Sequence, residues 1–290
     1  MKANKTILCC ILAGLGLAAG QLRAATYATG DLLLGFVAQS NPGSTQTLVV
    51  NLGSAADYRD AYDSGTSQLN IKSIGTQLTS TFGSTWYDRT DLYMSVFATT
   101  ASSALGDQLL DGDPNRTLYV SRSRNTSGLA TPWMSASSTW VVGSDGIMTS
   151  TSNGITATAG RYQLSSADVD GVAIIDDAAA NTLDEFTRPT TSVSFGGFNG
   201  GIEFKFGAGS YGTFTTSPVG AVEGALDFYR LQARNDITGQ YGEGDSVRRG
   251  DFSGVFTINQ SGQVSFIPEA GSTALLGLGS LVGLLRRRRA

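Results

Sequence analysis

Short apolar runs and alternating apolar and polar residues recur along most of the chain, and both patterns predict β-strands. Asp31 to Ala38 and Thr45 to Asn51 predict two strands, because Asn41-Pro42-Gly43 between them is typical of a turn. Leu92 to Phe97 has bulky residues at consecutive positions, which predicts a strand covered on both faces. Further strands are predicted at Thr117 to Arg122, Thr139 to Val142, Thr191 to Phe198, Gly201 to Phe206, and, as a hairpin around Gln260-Ser261-Gly262, at Gly254 to Asn259 and Gln263 to Ile267.

Two segments depart from this β pattern. An amphipathic helix is predicted from Ser67 to Phe82, because apolar residues recur there at spacings of three and four. A second helix is predicted within Ser165 to Glu185, a segment rich in Ala and Asp that Gly171 interrupts. Regular short strands with Gly-rich turns favour a β-sandwich or jelly-roll-like body with one or two short helices. We expect residues 26–265 to form this body, since no fixed-period repeat or long polar linker divides them.

The N-terminus has the three parts of a secretory signal peptide. Lys2 and Lys5 give a charged start, and an uncharged, mainly apolar run follows from Ile7 to Ala19. The small residues Ala24 and Ala25 then offer a cut after either one, so the signal peptide is predicted at residues 1–25. A lipoprotein leader is disfavoured because both cysteines come too early, ahead of most of the apolar run.

The C-terminus has the three parts of a membrane anchor. Phe266-Ile267-Pro268-Glu269 leads into an uncharged run from Ala270 to Leu285, which Arg286, Arg287, Arg288 and Arg289 follow. As a helix, this run would be roughly 24 Å long at 1.5 Å per residue, close to the thickness of the hydrocarbon core. The arginines are expected to stay in the cytoplasm under the positive-inside rule, which places the body outside.

This tail resembles the PEP-CTERM sorting signal, in which a Val-Pro-Glu-Pro-like motif precedes a short membrane helix and an Arg-rich end. Ile267, Pro268, Glu269 and Ala270 align with the motif, although Ala270 replaces its second proline. The resemblance implies export from a Gram-negative-type cell that makes extracellular polysaccharide. It also implies processing by the membrane protease exosortase, which would make the membrane anchor transient. A plain C-terminal anchor without processing remains the alternative.

Composition excludes several kinds of chemistry. The chain has no histidine, and its two cysteines, Cys9 and Cys10, lie in the predicted leader. The mature body therefore lacks the residues for Ser-His-Asp or Cys-His catalysis. It also lacks the ligands for zinc sites built from Cys and His and for haem held by His or Cys. No cofactor is predicted. Between the leader and the arginine cluster the formal charge is −11, so no nucleic-acid partner is expected.

A few oxygen-rich and aromatic segments could form sites. Asp111, Asp113 and Asn115 alternate like the first half of a calcium loop, but an Asx-rich turn explains them equally well. Paired acids could serve a glycan hydrolase or merely cap and solvate: Asp168 with Asp170, and Asp176 with Asp177. Arg249-Gly250-Asp251 is interpreted as a turn. The aromatic residues that could stack on sugar rings, or else fill the core, are Trp86, Tyr87, Trp133 and Trp140.

The sequence therefore favours a non-enzymatic surface or extracellular-matrix protein that the general secretion machinery exports. Two hypotheses of other classes remain open. The first is a carbohydrate-binding module for extracellular polysaccharide, which would use the aromatic residues. The second is a carboxylate-dependent glycan hydrolase, which would need two acids facing one another across a cleft.

Overall fold

A computed structural model of the chain describes residues 23–61, 68–100, 113, 117–123, 145–178, 183, 212–213, 222–231 and 251–268. β-Strands are the most abundant element of this structure, about twice as abundant in residues as helices, which confirms the predicted mainly β class. The strands are β1 Arg23–Ala24, β2 Asp31–Ala38, β3 Gln46–Ser54, β4 Leu69–Ser73, β5 Leu92–Thr99, β6 Leu118–Ser123, β7 Ser166–Ala167, β8 Val172–Asp176, β9 Gly212–Thr213, β10 Val222–Leu231, β11 Asp251–Asn259 and β12 Gln263–Pro268. The helices are α1 Ala55–Arg59, α2 Gly75–Phe82 and α3 Asp145–Gln163, with a 3₁₀ turn at Trp86–Asp88.

The described strands all belong to one sheet. Their order is β1-β7-β8-β3-β2-β5-β6-β10-β11-β12-β4, and β9 pairs with β5 outside this path. Each pairing is antiparallel. The described part of the body is thus a continuous sheet, whereas a sandwich has two facing sheets. Alternation along a strand shows that a face is covered, but it does not show which element covers it.

The sheet curls around one apolar cluster, here called the inner cluster. Alternate residues of β2, such as Leu34 and Phe36, point into it, and so does Phe266 of β12 near the other end of the sheet. The α1 residue Tyr58 contacts Phe256 and Phe266, with ring centroids 5.1 and 5.3 Å apart. Elements far apart in the strand order therefore share one core.

The opposite face of the sheet carries a second apolar cluster, here called the outer cluster. Leu33 and Val37 of β2 point into it, beneath Ile155, Ala159 and Tyr162 of α3. Because both faces of β2 are covered, its residues from Leu32 to Ala38 are all buried. This explains why β2 is a nearly continuous apolar run instead of an alternating one.

Side chains join the two ends of the curled sheet. Lys72 in β4 donates a hydrogen bond through Nζ to the carbonyl of Asp170, in the turn between β7 and β8. Gln77 in α2 donates through Nε2 to Oδ2 of Asp168 in the same turn, at 2.6 Å. Burial lowers the pKa of the Lys72 ammonium group, and the nearby Asp170 and Asp168 oppose this shift. The sheet is thus closed by side chains at this seam, without a strand ladder between β4 and β8.

The predicted helix from Ser67 to Phe82 is only half correct. Residues 69–73 form the strand β4, which pairs with β12, and the helix α2 starts at Gly75. Leu69 and Ile71 fit a strand as well as a helix, because spacings of two and of three or four overlap in a short run. Gly75 marks the change: a Cβ there would collide with the carbonyl of Ser261 in the β11–β12 hairpin.

The second predicted helix is wrong over residues 166–176, whereas Leu183, later in the same segment, is helical. Ser166–Ala167 and Val172–Asp176 are strands, and Gly171 has a φ of +71° in the turn that joins them. The long helix α3 precedes this segment and was not predicted, because its buried stripe consists largely of Thr, Ser and Ala. That stripe consists of Thr151, Ser152, Ile155, Thr158, Ala159 and Tyr162.

The other predicted strands within the described residues are confirmed. The turn at 41–43, which has a cis Asn41–Pro42 bond, joins β2 to β3, and β5 is covered on both faces as expected. The β11–β12 hairpin turns at 260–262, where the Asn259 carbonyl accepts from the Gly262 amide. The predicted strands at 139–142, 191–198 and 201–206 lie outside the described residues.

Candidate functional site

The predicted sorting motif begins inside β12, the last strand that the structure describes. Ile267 and Pro268 are the final residues of β12, where they pair with Val255 and Gly254 of β11. Both are half-buried, and the preceding Phe266 is fully buried in the inner cluster. Within the described residues, no spacer separates the folded body from the motif.

The two sides of β12 differ at this point. On the β4 side the ladder runs from Gln263 to Phe266 and ends where Phe266 pairs with Leu69. On the β11 side it continues to Pro268. Proline has no amide hydrogen to contribute to a ladder, so the end of a sheet is a position where it is tolerated.

Gly254 makes the close pairing at the end of β12 possible. Its φ is +150°, and a Cβ there would collide with the carbonyl oxygen of Ile267 and lie 2.6 Å from Cζ of Phe266. A larger residue would therefore push the end of β12 away from β11. The remaining motif residues Glu269 and Ala270, and the cluster from Arg286 to Arg289, lie outside the described residues.

A second polar centre lies around Asp113, which has no exposed surface. Its Oδ2 accepts from Nη1 of Arg59 at 2.8 Å and from the hydroxyl of Tyr119. Its Oδ1 accepts from Nε and Nη2 of Arg230 at 2.6 and 2.5 Å. Arg59 also pairs with Asp60, through bonds of 2.6 Å. We call these five residues the Asp113 cluster.

Hydrogen bonding, burial and charge shift the pKa values of three members of the cluster: Arg59, Asp60 and Tyr119. The hydrogen bonding that Arg59 donates to Asp60 is the main cause of the raised pKa of Arg59, with Tyr119 and Asp113 contributing, and it also lowers the pKa of Asp60. Burial, and then the negative Asp113, raise the pKa of the Tyr119 phenol. Arg59 thus stays charged and Tyr119 stays protonated at neutral pH, which suits both of them to donate to the buried carboxylate.

The Asp113 cluster connects three parts of the chain. Asp113 belongs to the connection between β5 and β6, Arg59 ends α1, and Arg230 lies near the end of β10. These contacts bridge 54 and 117 residues of sequence. No local sequence motif predicts these contacts, because nothing in the sequence next to Arg59 or Arg230 indicates a partner for either arginine. The only sequence sign was Asp113 itself.

The hydrogen bonds of Asp113 bear on the calcium hypothesis. Both of its oxygens accept from positively charged donors, which leaves the carboxylate committed to an ion pair. The other two residues of that hypothesis, Asp111 and Asn115, lie outside the described residues. Within the part of the chain that the structure describes, no group of three or more His, Cys, Asp or Glu side chains could hold a metal ion.

The paired acids take part in turns. Oδ1 of Asp168 accepts from the amides of Asp170 and Val172, both at 2.9 Å, and its Oδ2 accepts from Gln77. Oδ1 of Asp176 accepts from the amide of Ala178 at 2.9 Å. Asp168 therefore organises the β7–β8 turn, a structural role in a turn between strands.

The aromatic candidates divide in a similar way. Trp86 is fully buried in the inner cluster, so its ring cannot stack on a sugar. Tyr87 is half-buried and packs edge-on against Trp86, with ring centroids 5.5 Å apart. Trp133 and Trp140 lie outside the described residues, as do Arg249 and Gly250, while Asp251 begins β11.

Comparison with other proteins identifies no relative. The chain matches no protein-family model, no curated protein sequence and no solved structure. Among the described helices none is long and apolar enough to cross a membrane, and the predicted tail helix from Ala270 to Leu285 lies outside them.

Proposed function

We propose that this chain is an exported, non-enzymatic surface or extracellular-matrix protein that carries a PEP-CTERM-like sorting tail. The general secretion machinery removes the leader, and the Ala270–Leu285 helix holds the body transiently at the inner membrane. An exosortase then cuts near Pro268–Glu269, and the body is released or attached at the cell surface.

The order of parts around Pro268 is the observation that carries this proposal. The described part of β12 reaches Pro268, and Glu269, the uncharged run and the four arginines follow in the sequence. The described sheet thus extends into the motif that resembles a sorting signal. A stop-transfer arginine cluster fits an anchor whose body is outside the cell.

The charge of the body agrees with release into an aqueous environment. The segment between the leader and the arginine cluster has a formal charge of −11, and its only lysines are Lys72 and Lys205. Lys72 is held in the seam by Asp170. A net charge far from zero favours solubility, so the body is expected to stay in solution once the anchor is removed.

The experiment is intact-mass analysis of the protein isolated from the surface and medium of its native host. We expect loss of the leader and of the arginine cluster. The variant Pro268→Ala/Glu269→Ala should keep its tail and stay in the membrane fraction. Leu164→Ala, which changes a side chain that is 82% exposed, is the matched control and should be processed normally. A wild-type protein that retains Arg286 to Arg289 would show a plain anchor instead.

A further inference from the structure

The last residues of β12 are part of the core and do not belong to a dispensable tail. The ring of Phe266 is fully buried, 4.7 Å from Phe256, 5.3 Å from Tyr58 and 5.9 Å from Phe228, measured between ring centroids. A cut on the N-terminal side of Phe266 would remove this ring from the inner cluster and leave a cavity there.

The peptide bonds around Ile267 are also held by the sheet. Ile267 pairs with Val255, and Pro268 pairs with Gly254. A protease must draw its substrate into an extended, unpaired form, and β11 opposes this as far as Pro268. The first peptide bond beyond the described ladder is the one between Pro268 and Glu269.

The N-terminal end of the sheet sets a similar limit. Arg23 and Ala24 form β1, which pairs with Ala167 and Ser166 of β7. Ala25 is 7% exposed within the outer cluster, and its amide donates to the carbonyl of Ser165 at 3.1 Å. A cut after Ala24 would create a charged amino group at this buried position, which is unfavourable. A cut after Ala25 would remove the residue itself.

An earlier cut avoids both problems. Ala18 and Gly20 place small residues at the third and first positions before the bond between Gly20 and Gln21, which is the spacing that signal peptidase needs. A cut after Ala24 would instead place Leu22 at the third position, and a cut after Ala25 would place Arg23 there.

We infer that both processing events leave the sheet complete, so that the mature body runs from Gln21 to Pro268 or a few residues beyond. This inference rests on the proposed function and adds the position of each cut. It moves the N-terminal cut from Ala24 or Ala25 to Gly20. It also assigns Pro268 to the retained body, on the N-terminal side of the second cut.

Top-down mass spectrometry of the full chain, expressed in its native host, tests both ends at once. We expect a first residue of Gln21 and a last residue at or after Pro268 but before Arg286. A first residue of Ala25 or Thr26, or a last residue at Ile267 or earlier, would overturn the corresponding half. If the tail is retained whole, the proposed sorting function fails together with the second cut, while the first residue still decides the first cut.

A pair of glycine variants tests whether the sheet sets the second limit. Gly254→Ala should loosen the end of β12, so we expect additional mature chains that end upstream of Pro268. Gly160→Ala is the control, because a Cβ at this position in α3 has nothing within 4 Å. It should give the same single C-terminus as the wild type. An unchanged C-terminus and an unchanged yield for Gly254→Ala would show that pairing with β11 does not determine where the chain is cut.

Discussion

The end of β12 and the Asp113 cluster both fasten chain segments to the same sheet, but they do so by different forces. At β12 the fastening is a backbone ladder and an apolar ring, Phe266, within the inner cluster. At Asp113 it is a buried carboxylate held by two guanidinium groups and a phenol. The first joins β12 to its hairpin neighbour β11 and to the distant strand β4 by regular backbone pairing, whereas the second joins Asp113 to Arg59 and Arg230 by side chains alone.

This difference determines how each region responds to change. Apolar burial scales with the area removed from water and depends little on ionic strength. A buried ion pair gains little over an apolar replacement, but loss of one partner leaves the other charge without compensation. The end of β12 should therefore tolerate a conservative apolar substitution. The Asp113 cluster should tolerate few substitutions, whether of its acidic or of its basic residues.

Phe266→Ala is expected to have the largest effect. The substitution removes a fully buried ring that contacts three aromatic residues, so the free energy of unfolding should fall by about 3 to 5 kcal/mol. Urea unfolding of the processed protein measures this loss. Phe266→Leu is the control and should lose much less, since it retains most of the apolar volume. A measured loss of less than about 1 kcal/mol for Phe266→Ala, instead of the expected loss of about 3 to 5 kcal/mol, would mean that β12 contributes little to the core.

Asp113→Ala should come next, at about 3 kcal/mol. It leaves Arg59 and Arg230 without their shared carboxylate, but their side chains are 15% and 18% exposed, so water relieves part of the cost. In the variant the two partly exposed guanidinium groups repel each other and salt screens this repulsion, so the loss should shrink modestly at high salt, while the loss for Phe266→Ala should not. Asp57→Asn, at an exposed position in the first turn of α1, is the control. Equal salt dependence for the Phe266→Ala and Asp113→Ala losses would contradict the assignment of different forces.

The same contrast explains what could be predicted from the sequence. The β11–β12 hairpin was predictable, because its strands are adjacent and Gln260-Ser261-Gly262 is a local turn signal. The Asp113 cluster was not, because its members come together only after β6, β10 and α1 have assembled. The helix α3 was missed for another reason: its buried stripe is largely Thr, Ser and Ala, which carry little hydrophobic periodicity.

A smaller effect is expected at Asp91, which joins the β2–β3 turn to the end of α2 through Arg89. Arg89 pairs with Asp91 at 2.8 Å and donates to the carbonyls of Ser40 and Phe82. The hydrogen bond from Arg89 holds the pKa of Asp91 below its usual 3.8. A depressed carboxylate pKa stabilises the fold above the usual value, and this contribution is lost as the pH falls below about 4.

Asp91→Asn should therefore lower the free energy of unfolding by about 1 to 2 kcal/mol at neutral pH. The difference in free energy of unfolding between the variant and the wild type should decrease as the pH falls from about 5 towards 3, the range in which an ordinary aspartate takes up its proton. Urea unfolding of both proteins over this range measures it. A difference that stays constant with pH would mean that the Asp91 carboxylate is not the group whose ionisation stabilises this turn.

The smallest expected effect is a gain, at Gly160 in α3. Glycine in the middle of a helix costs about 0.5 to 1 kcal/mol relative to alanine, because it loses more backbone freedom on folding. A Cβ at Gly160 meets nothing within 4 Å, so Gly160→Ala should stabilise the protein by this amount in urea unfolding. Gly35 is the contrasting position, because a Cβ there would collide with the side chain of Leu183, and Gly35→Ala should destabilise. If Gly160→Ala did not raise the free energy of unfolding, helix propensity at this residue would not limit stability. The contribution of α3 would then come from its packing over the outer cluster.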